Sequence, residues 1–189
     1  MTLSRRHVLA LGGLSALCLG AGALGLRAVT GFEPHPRFLV LGRREVTTVD
    51  ALVSALLPTD GGLPAGDTLG LTEAVDEQLW AAAPTLRGEF MLALALVEYA
   101  PFAFGYWSRF STCSAETRET VFEAMLVSKR DSFARVASAI KQLLAIVYYT
   151  NPATWTVLGY DGPWVKTAKP PPSAVRYAQL LSEKRGAPA

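Results

Sequence analysis

Gly20, Gly22 and Gly25 spell G-x-G-x-x-G within L-G-A-G-A-L-G, and Glu45 follows twenty positions later. At that spacing the glycines could cradle a pyrophosphate and the acid could hold a ribose. Such a loop works only between a buried strand and a helix whose N-terminus faces the phosphates. Here Ser4-Arg5-Arg6-His7 precedes an uncharged run from Val8 to Leu26, and Gly31-Phe32-Glu33-Pro34-His35-Pro36 follows it. The prolines remove backbone donors and forbid a long helix at that point. The flanks therefore argue strongly against a dinucleotide loop.

Charged residues, an apolar run and small residues at its end are instead the parts of an export signal. Ser4-Arg5-Arg6-x-Val8-Leu9 looks like a twin-arginine (Tat) signal, departing from the usual pattern at Val8 and Ala10. Arg5 and Arg6 are the candidate targeting residues, with the Tat translocase as their partner. Ala21-Gly22-Ala23 offers a cleavage site and Ala28 a second. The run is also about long enough to span a bilayer, so a retained anchor is the alternative. Leu17 is too bulky to favour lipid attachment at Cys18. The expected destination is periplasmic or extracytoplasmic.

The other reactive residue types give little chemistry. Cys113 stands apart from Cys18, and the two histidines, His7 and His35, both precede Phe38. A disulfide, a C-x-x-C knuckle, a haem attachment and a Ser-His-Asp relay are thereby excluded from the folded region. Cys113 reads as a buried or half-buried thiol with no histidine to act as its base. Asp76 and Glu77 diverge by about 100 degrees on a helix and read as a solvated face rather than an acid/base pair. Asp60 and Asp67 lie among glycines and prolines and read as turn formers. Without Arg5 and Arg6 the basic residues fall from 18 to 16, against 16 acids. That balance leaves no footprint for nucleic acid.

The elements that must position these residues read as helices. Thr47-x-x-Asp50 resembles a capping box, with Leu52, Val53, Leu56 and Leu57 on one face before Pro58. A second helix runs from Thr72, with Val75, Leu79 and Trp80 inward, and ends before Pro84. Phe90 to Val97 is apolar nearly all round, which predicts a central helix broken by Pro101. Met91, Leu92, Leu94 and Leu96 read as core. Ser114 caps a fourth helix with Val121, Phe122, Met125 and Leu126. Phe133, Val136, Ile140, Leu144 and Val147 mark one face of a fifth. Lys169-Pro170-Pro171-Pro172 reads as an extended polyproline spacer.

The chain is thus expected to be all-α, a small irregular helical bundle after an N-terminal signal helix, with a long aromatic C-terminal loop. Its parts are a signal or anchor over 1–30, a linker over 31–45, a helical domain over 46–168, and a Pro-rich spacer and tail over 169–189. Tyr148, Tyr149, Trp155, Tyr160 and Trp164, with Tyr106 and Trp107 upstream, exceed what a turn requires. Such residues either cap the bundle or meet a partner, and the two roles can coexist.

Leu56-Leu57-Pro58-Thr59-Asp60, Gly70-Leu71, Tyr148-Tyr149-x-Asn151-Pro152 and Leu158-Gly159-Tyr160-Asp161-Gly162-Pro163 resemble the gluconate 2-dehydrogenase subunit 3 family, as far as about Trp164. The resemblance implies a non-catalytic small subunit that exports and stabilises an FAD-dependent catalytic subunit of the glucose-methanol-choline type. It also implies that FAD resides in that partner, and that a multihaem cytochrome c subunit often accepts the electrons. No catalytic, metal or cofactor-binding residue is assigned to this chain. Tyr148, Tyr149, Trp155, Gly159, Tyr160, Pro163 and Trp164 are the candidate partner contacts. The rival readings are a membrane-anchored helical structural protein and an independent periplasmic enzyme using carboxylates such as Asp60 and Asp67.

Overall fold

A computed structural model describes residues 35–57, 62–163 and 169–186. The twin arginine, the glycine triplet, Asp60 and Trp164 lie outside the described residues. From Pro34 onward the chain forms one unit. It consists of helices α1 (Arg43–Leu56), α2 (Leu71–Ala81), α3 (Pro84–Ala103), α4 (Ala115–Leu126), α5 (Asp131–Tyr149), the single turn α6 (Pro152–Trp155) and α7 (Pro172–Gly186). Short 3-10 turns at Gly66–Leu69 and Phe110–Thr112 lead into α2 and α4. The all-α expectation holds, with no strand among the described residues. None of the described helices is long and apolar enough to cross a membrane.

α1 packs on α3 and α4, while α5 packs on α2, α3 and α4. Their shared core includes Val49, Leu52, Val75, Leu94, Val97, Val121, Phe122, Met125, Ile140 and Leu144. Of the 3.6-residue period read along α5, Phe133, Ile140, Leu144 and Val147 are buried together with Ala137, while Val136 is half-buried at the edge of that face. Ser114 caps α4 as expected, its hydroxyl accepting the Thr117 amide at 3.3 Å. Arg87 closes the C-terminal end of α2 by donating to the carbonyls of Leu79 at 3.0 Å and Trp80 at 2.8 Å.

Three local expectations are corrected. α1 starts at Arg43 rather than behind a Thr47 cap, because the preceding segment is held extended and the first helical bond forms from Val46 to Gly42. The Thr47 hydroxyl instead donates back to the Arg43 carbonyl. Pro101 does not break α3: it lies in the last turn of the helix, which forgoes the one bond a Pro101 N–H would have made and runs on to Ala103. The chain then turns at Gly105, with φ of 89°, and the Tyr106 amide reaches the Pro101 carbonyl at 3.0 Å. This is a Schellman end, which needs a left-handed residue where only glycine is free of penalty. The polyproline spacer leads at once into α7, whose Tyr177 and Leu181 are buried one turn apart.

Gly66 marks the closest approach of two segments. A Cβ there would lie 2.8 Å from both Leu57 Cδ1 and Val53 Cγ1. Val53 is β-branched and buried, so it has little freedom to yield. Gly66→Ala is expected to cost about 1–2 kcal/mol, read as a lower urea midpoint with an unchanged slope.

Candidate functional site

The C-terminal aromatic segment is built on the end of α5. Asn151 ends that helix region and caps α6, its side-chain oxygen accepting the Ala153 amide at 3.0 Å, with Pro152 at the first helical position. Thr154 is fully buried and donates from its hydroxyl to the Asn151 carbonyl at 2.9 Å. The Trp155 indole donates to the Tyr149 carbonyl at 3.0 Å, and its ring meets Tyr160 edge-on at 5.3 Å. Gly159 has φ of 68°, and the Tyr160 amide returns to the Trp155 carbonyl at 2.9 Å. The Leu-Gly-Tyr step is therefore a second Schellman turn, so Gly159 serves the backbone as well as any surface.

These bonds leave an ordered apolar face. Tyr149, Val157, Leu158 and Tyr160 are each 46–50% exposed. Trp155 is half-buried and Pro163 exposed, and a shallow depression of about 290 Å³ lies between Pro152, Trp155, Thr156, Gly159, Tyr160 and Asp161. Val157 and Leu158 were not among the expected contacts. Their signal was in the sequence, as two apolar residues at a turn before a glycine.

Tyr148 is the expected contact that the structure places elsewhere. It is fully buried, and its hydroxyl donates to the Pro64 carbonyl at 2.9 Å. On a helix, Tyr148 and Tyr149 point about 100 degrees apart, so one enters the core while the other faces out. Burial, followed by the neighbouring Tyr149, pushes the Tyr148 hydroxyl above the usual tyrosine range. Tyr106 and Trp107 do not join this face either. Phe104 packs on Phe133 at 5.4 Å, which fixes the end of α3 at the start of α5. Tyr149 lies roughly 24 Å away along α5 at 1.5 Å per residue.

The acids have been given structural work. Asp76 was expected on a solvated face but is fully buried. Its Oδ1 accepts the amides of Val40 at 2.9 Å and Leu41 at 2.7 Å, and its Oδ2 accepts the Leu39 amide and the Tyr177 hydroxyl, both at 2.8 Å. One carboxylate thus joins the segment before α1, helix α2 and helix α7. Arg185 reinforces α7 by pairing with Glu73 at 2.7 Å, and Lys184 donates to the carbonyls of His35 and Phe38. Burial, then the neighbouring Arg43, Arg37 and Lys184 cations, lower the His35 pKa. Glu98 is the second buried acid. It accepts the Ser111 hydroxyl at 2.6 Å, the Ser111 amide at 3.1 Å and the Thr48 hydroxyl at 3.1 Å.

Burial, followed by the hydrogen bond to Asp76 and the charges of Asp76, Glu73 and Glu77, raises the Tyr177 hydroxyl far above its ordinary value. Above about pH 10 the unfolded tyrosine loses its proton while the folded one keeps it. The unfolded state then binds fewer protons, so stability falls as pH rises, by about 1.4 kcal/mol per pH unit for each such tyrosine. Tyr177→Phe is expected to lower stability at pH 7 by about 1–2 kcal/mol through the lost hydrogen bond and to flatten the decline above pH 10. Urea titrations at a series of alkaline pH values measure both effects.

Asp67 lies beside a cleft of about 440 Å³ that also includes Asp50, Glu73 and Arg37. Asp50 accepts a hydrogen bond from Thr72, and Glu73 is paired with Arg185. Among the described residues, no group of three or more His, Cys, Asp or Glu side chains could hold a metal ion. Cys113 is buried. Comparison with protein-family models, curated proteins and solved structures returned no match to this chain.

Proposed function

We propose that this chain is the non-catalytic small subunit of an exported FAD-dependent dehydrogenase complex of the glucose-methanol-choline type. It supplies the twin-arginine signal at Arg5 and Arg6 and binds the catalytic subunit, which carries the FAD, through Tyr149, Trp155, Leu158, Gly159, Tyr160, Pro163 and Trp164. A cytochrome c subunit is a further partner in this reading. The ordered, half-exposed aromatic face at the end of α5 is the observation that carries the partner role. An apolar surface pre-set by backbone hydrogen bonds loses little entropy when it is covered. The resemblance in the sequence supplies the nature of the partner. Export would deliver both subunits to the periplasm.

Co-purification from cells that make the dehydrogenase tests this reading. The tagged chain is expected to bring down an equimolar yellow flavoprotein. Recovery alone and colourless would count against it. Replacing Arg5 and Arg6 together by lysine is expected to strand both proteins in the cytoplasm, seen as loss of periplasmic dehydrogenase activity.

The rival reading as an independent carboxylate enzyme would place its chemistry in the cleft beside Asp67. It predicts activity from the isolated chain that Asp67→Asn abolishes.

A further inference from the structure

We infer that the opposite end of the bundle, where α3 and α4 finish and α5 begins, is a surface that docks on an anionic lipid bilayer. Trp107 is 93% exposed and Val127 is 82% exposed. Phe102 and Tyr106 beside Trp107 are also exposed. The Trp107 ring meets Phe102 edge-on at 6.4 Å, and Phe102 stacks on Tyr99 at 6.4 Å, so the tryptophan stands at the tip of an aromatic ridge. The Schellman turn at Gly105 fixes its projection.

The Phe104–Phe133 contact brings this ridge to the start of α5, and the link Val127–Arg130 joins the same end of α5 to α4. Arg130 sits over the Phe133 ring at 5.9 Å. Lys129 and Arg130 are exposed, and Arg109 is half-exposed although within 4.0 Å of Glu98. Asp131, the acid beside Arg130, is already paired with Arg135 at 3.6 Å. Glu123 is exposed one turn back on α4.

Two features favour a bilayer over a protein partner. The most exposed apolar groups are separate tips on two loops rather than one continuous patch, and a fluid surface accepts separate tips without matching their shape. Tryptophan and tyrosine settle at the headgroup level, and neighbouring cations gain from anionic lipid at about 1 kcal/mol each. The aromatic face at the far end of α5 would remain free for the catalytic subunit.

The full chain, with Cys18 replaced by serine, is labelled with an environment-sensitive fluorophore at Val127→Cys, at Trp107→Cys, or at Val157→Cys as a control. An unlabelled-site version checks that the buried Cys113 does not react. Vesicles of phosphatidylcholine, or of equal parts phosphatidylcholine and phosphatidylglycerol, are then added.

The expected result is a blue shift and a several-fold rise in emission at positions 127 and 107, only with phosphatidylglycerol, and no change at 157. Lys129→Glu with Arg130→Glu is expected to weaken that response about tenfold or more. Labels at 127 and 107 that stay in water, whether or not the N-terminal segment carries the chain onto vesicles, would overturn the proposal. So would shielding that requires the flavoprotein instead of lipid.

Discussion

Asp76→Ala is expected to destabilise the chain by about 4 kcal/mol or more, enough to leave a domain at the lower end of the ordinary stability range, about 5 kcal/mol, partly unfolded at room temperature. The substitution strips the acceptor from three backbone amides and one tyrosine hydroxyl, all within 2.9 Å of the present carboxylate. A buried donor without an acceptor costs about 1–3 kcal/mol, and these four sit where Asp76 itself has no contact with solvent. Asp76→Asn separates the contributions. Its remaining oxygen can serve Val40 and Leu41, and Tyr177 can turn to accept from the new amide. The Leu39 amide would then face another donor.

Stability is therefore expected in the order wild type, Asp76→Asn, Asp76→Ala, measured by urea denaturation followed by helical circular dichroism. Because Asp76 joins both ends of the folded unit to α2, amide exchange should accelerate first in residues 39–41 and in α7. Equal stability of the alanine variant and wild type would show that these contacts contribute nothing net.

The second large effect is expected on association. Under the proposed small-subunit role, Leu158→Asp with Tyr160→Ala should weaken binding of the catalytic subunit by about 100-fold or more while leaving the urea midpoint nearly unchanged. Both side chains are about half exposed, so the fold loses little when they are removed. At a closed interface the aspartate would be buried without a partner, and the missing tyrosine would leave a gap beside Trp155. The Trp155 indole remains bonded to the Tyr149 carbonyl, so the turn itself should persist. Titration of the variant against the purified flavoprotein, with Val157→Ala as a milder comparison, measures the change. Wild-type affinity in the double variant would remove this face from the interface.

Much of the local structure was legible in the residues alone. Four periodic segments and one run apolar nearly all round predicted α1 to α5, and Ser114 marks a real helix start, whereas Pro84, read only as the limit of α2, opens α3. These features depend on neighbours within one or two turns, and so does the pattern that records them. α7 was harder to read, since only Tyr177 and Leu181 of its fifteen residues are buried and its last turn is basic, like a tail. Pro101 misled for a related reason, because its effect depends on how near the helix is to ending.

The sequence by itself determined the helical class, the positions of most helices and the aromatic character of the segment after α5. Only the tertiary structure decided what the acids and aromatics do. Asp76 serves amides 35–37 residues away, and Glu98 gathers Thr48 and Ser111 from two other segments. A carboxylate that accepts backbone amides leaves no side-chain signature at the donor positions, so no spacing in the chain announces it. The same packing sends Tyr148 inward and Tyr149 outward, and sets Trp107 at the other end of α5 from Tyr160. Burial and proximity are properties of packed surfaces, and chemically equal tyrosines become anchor or contact only once the helices have met.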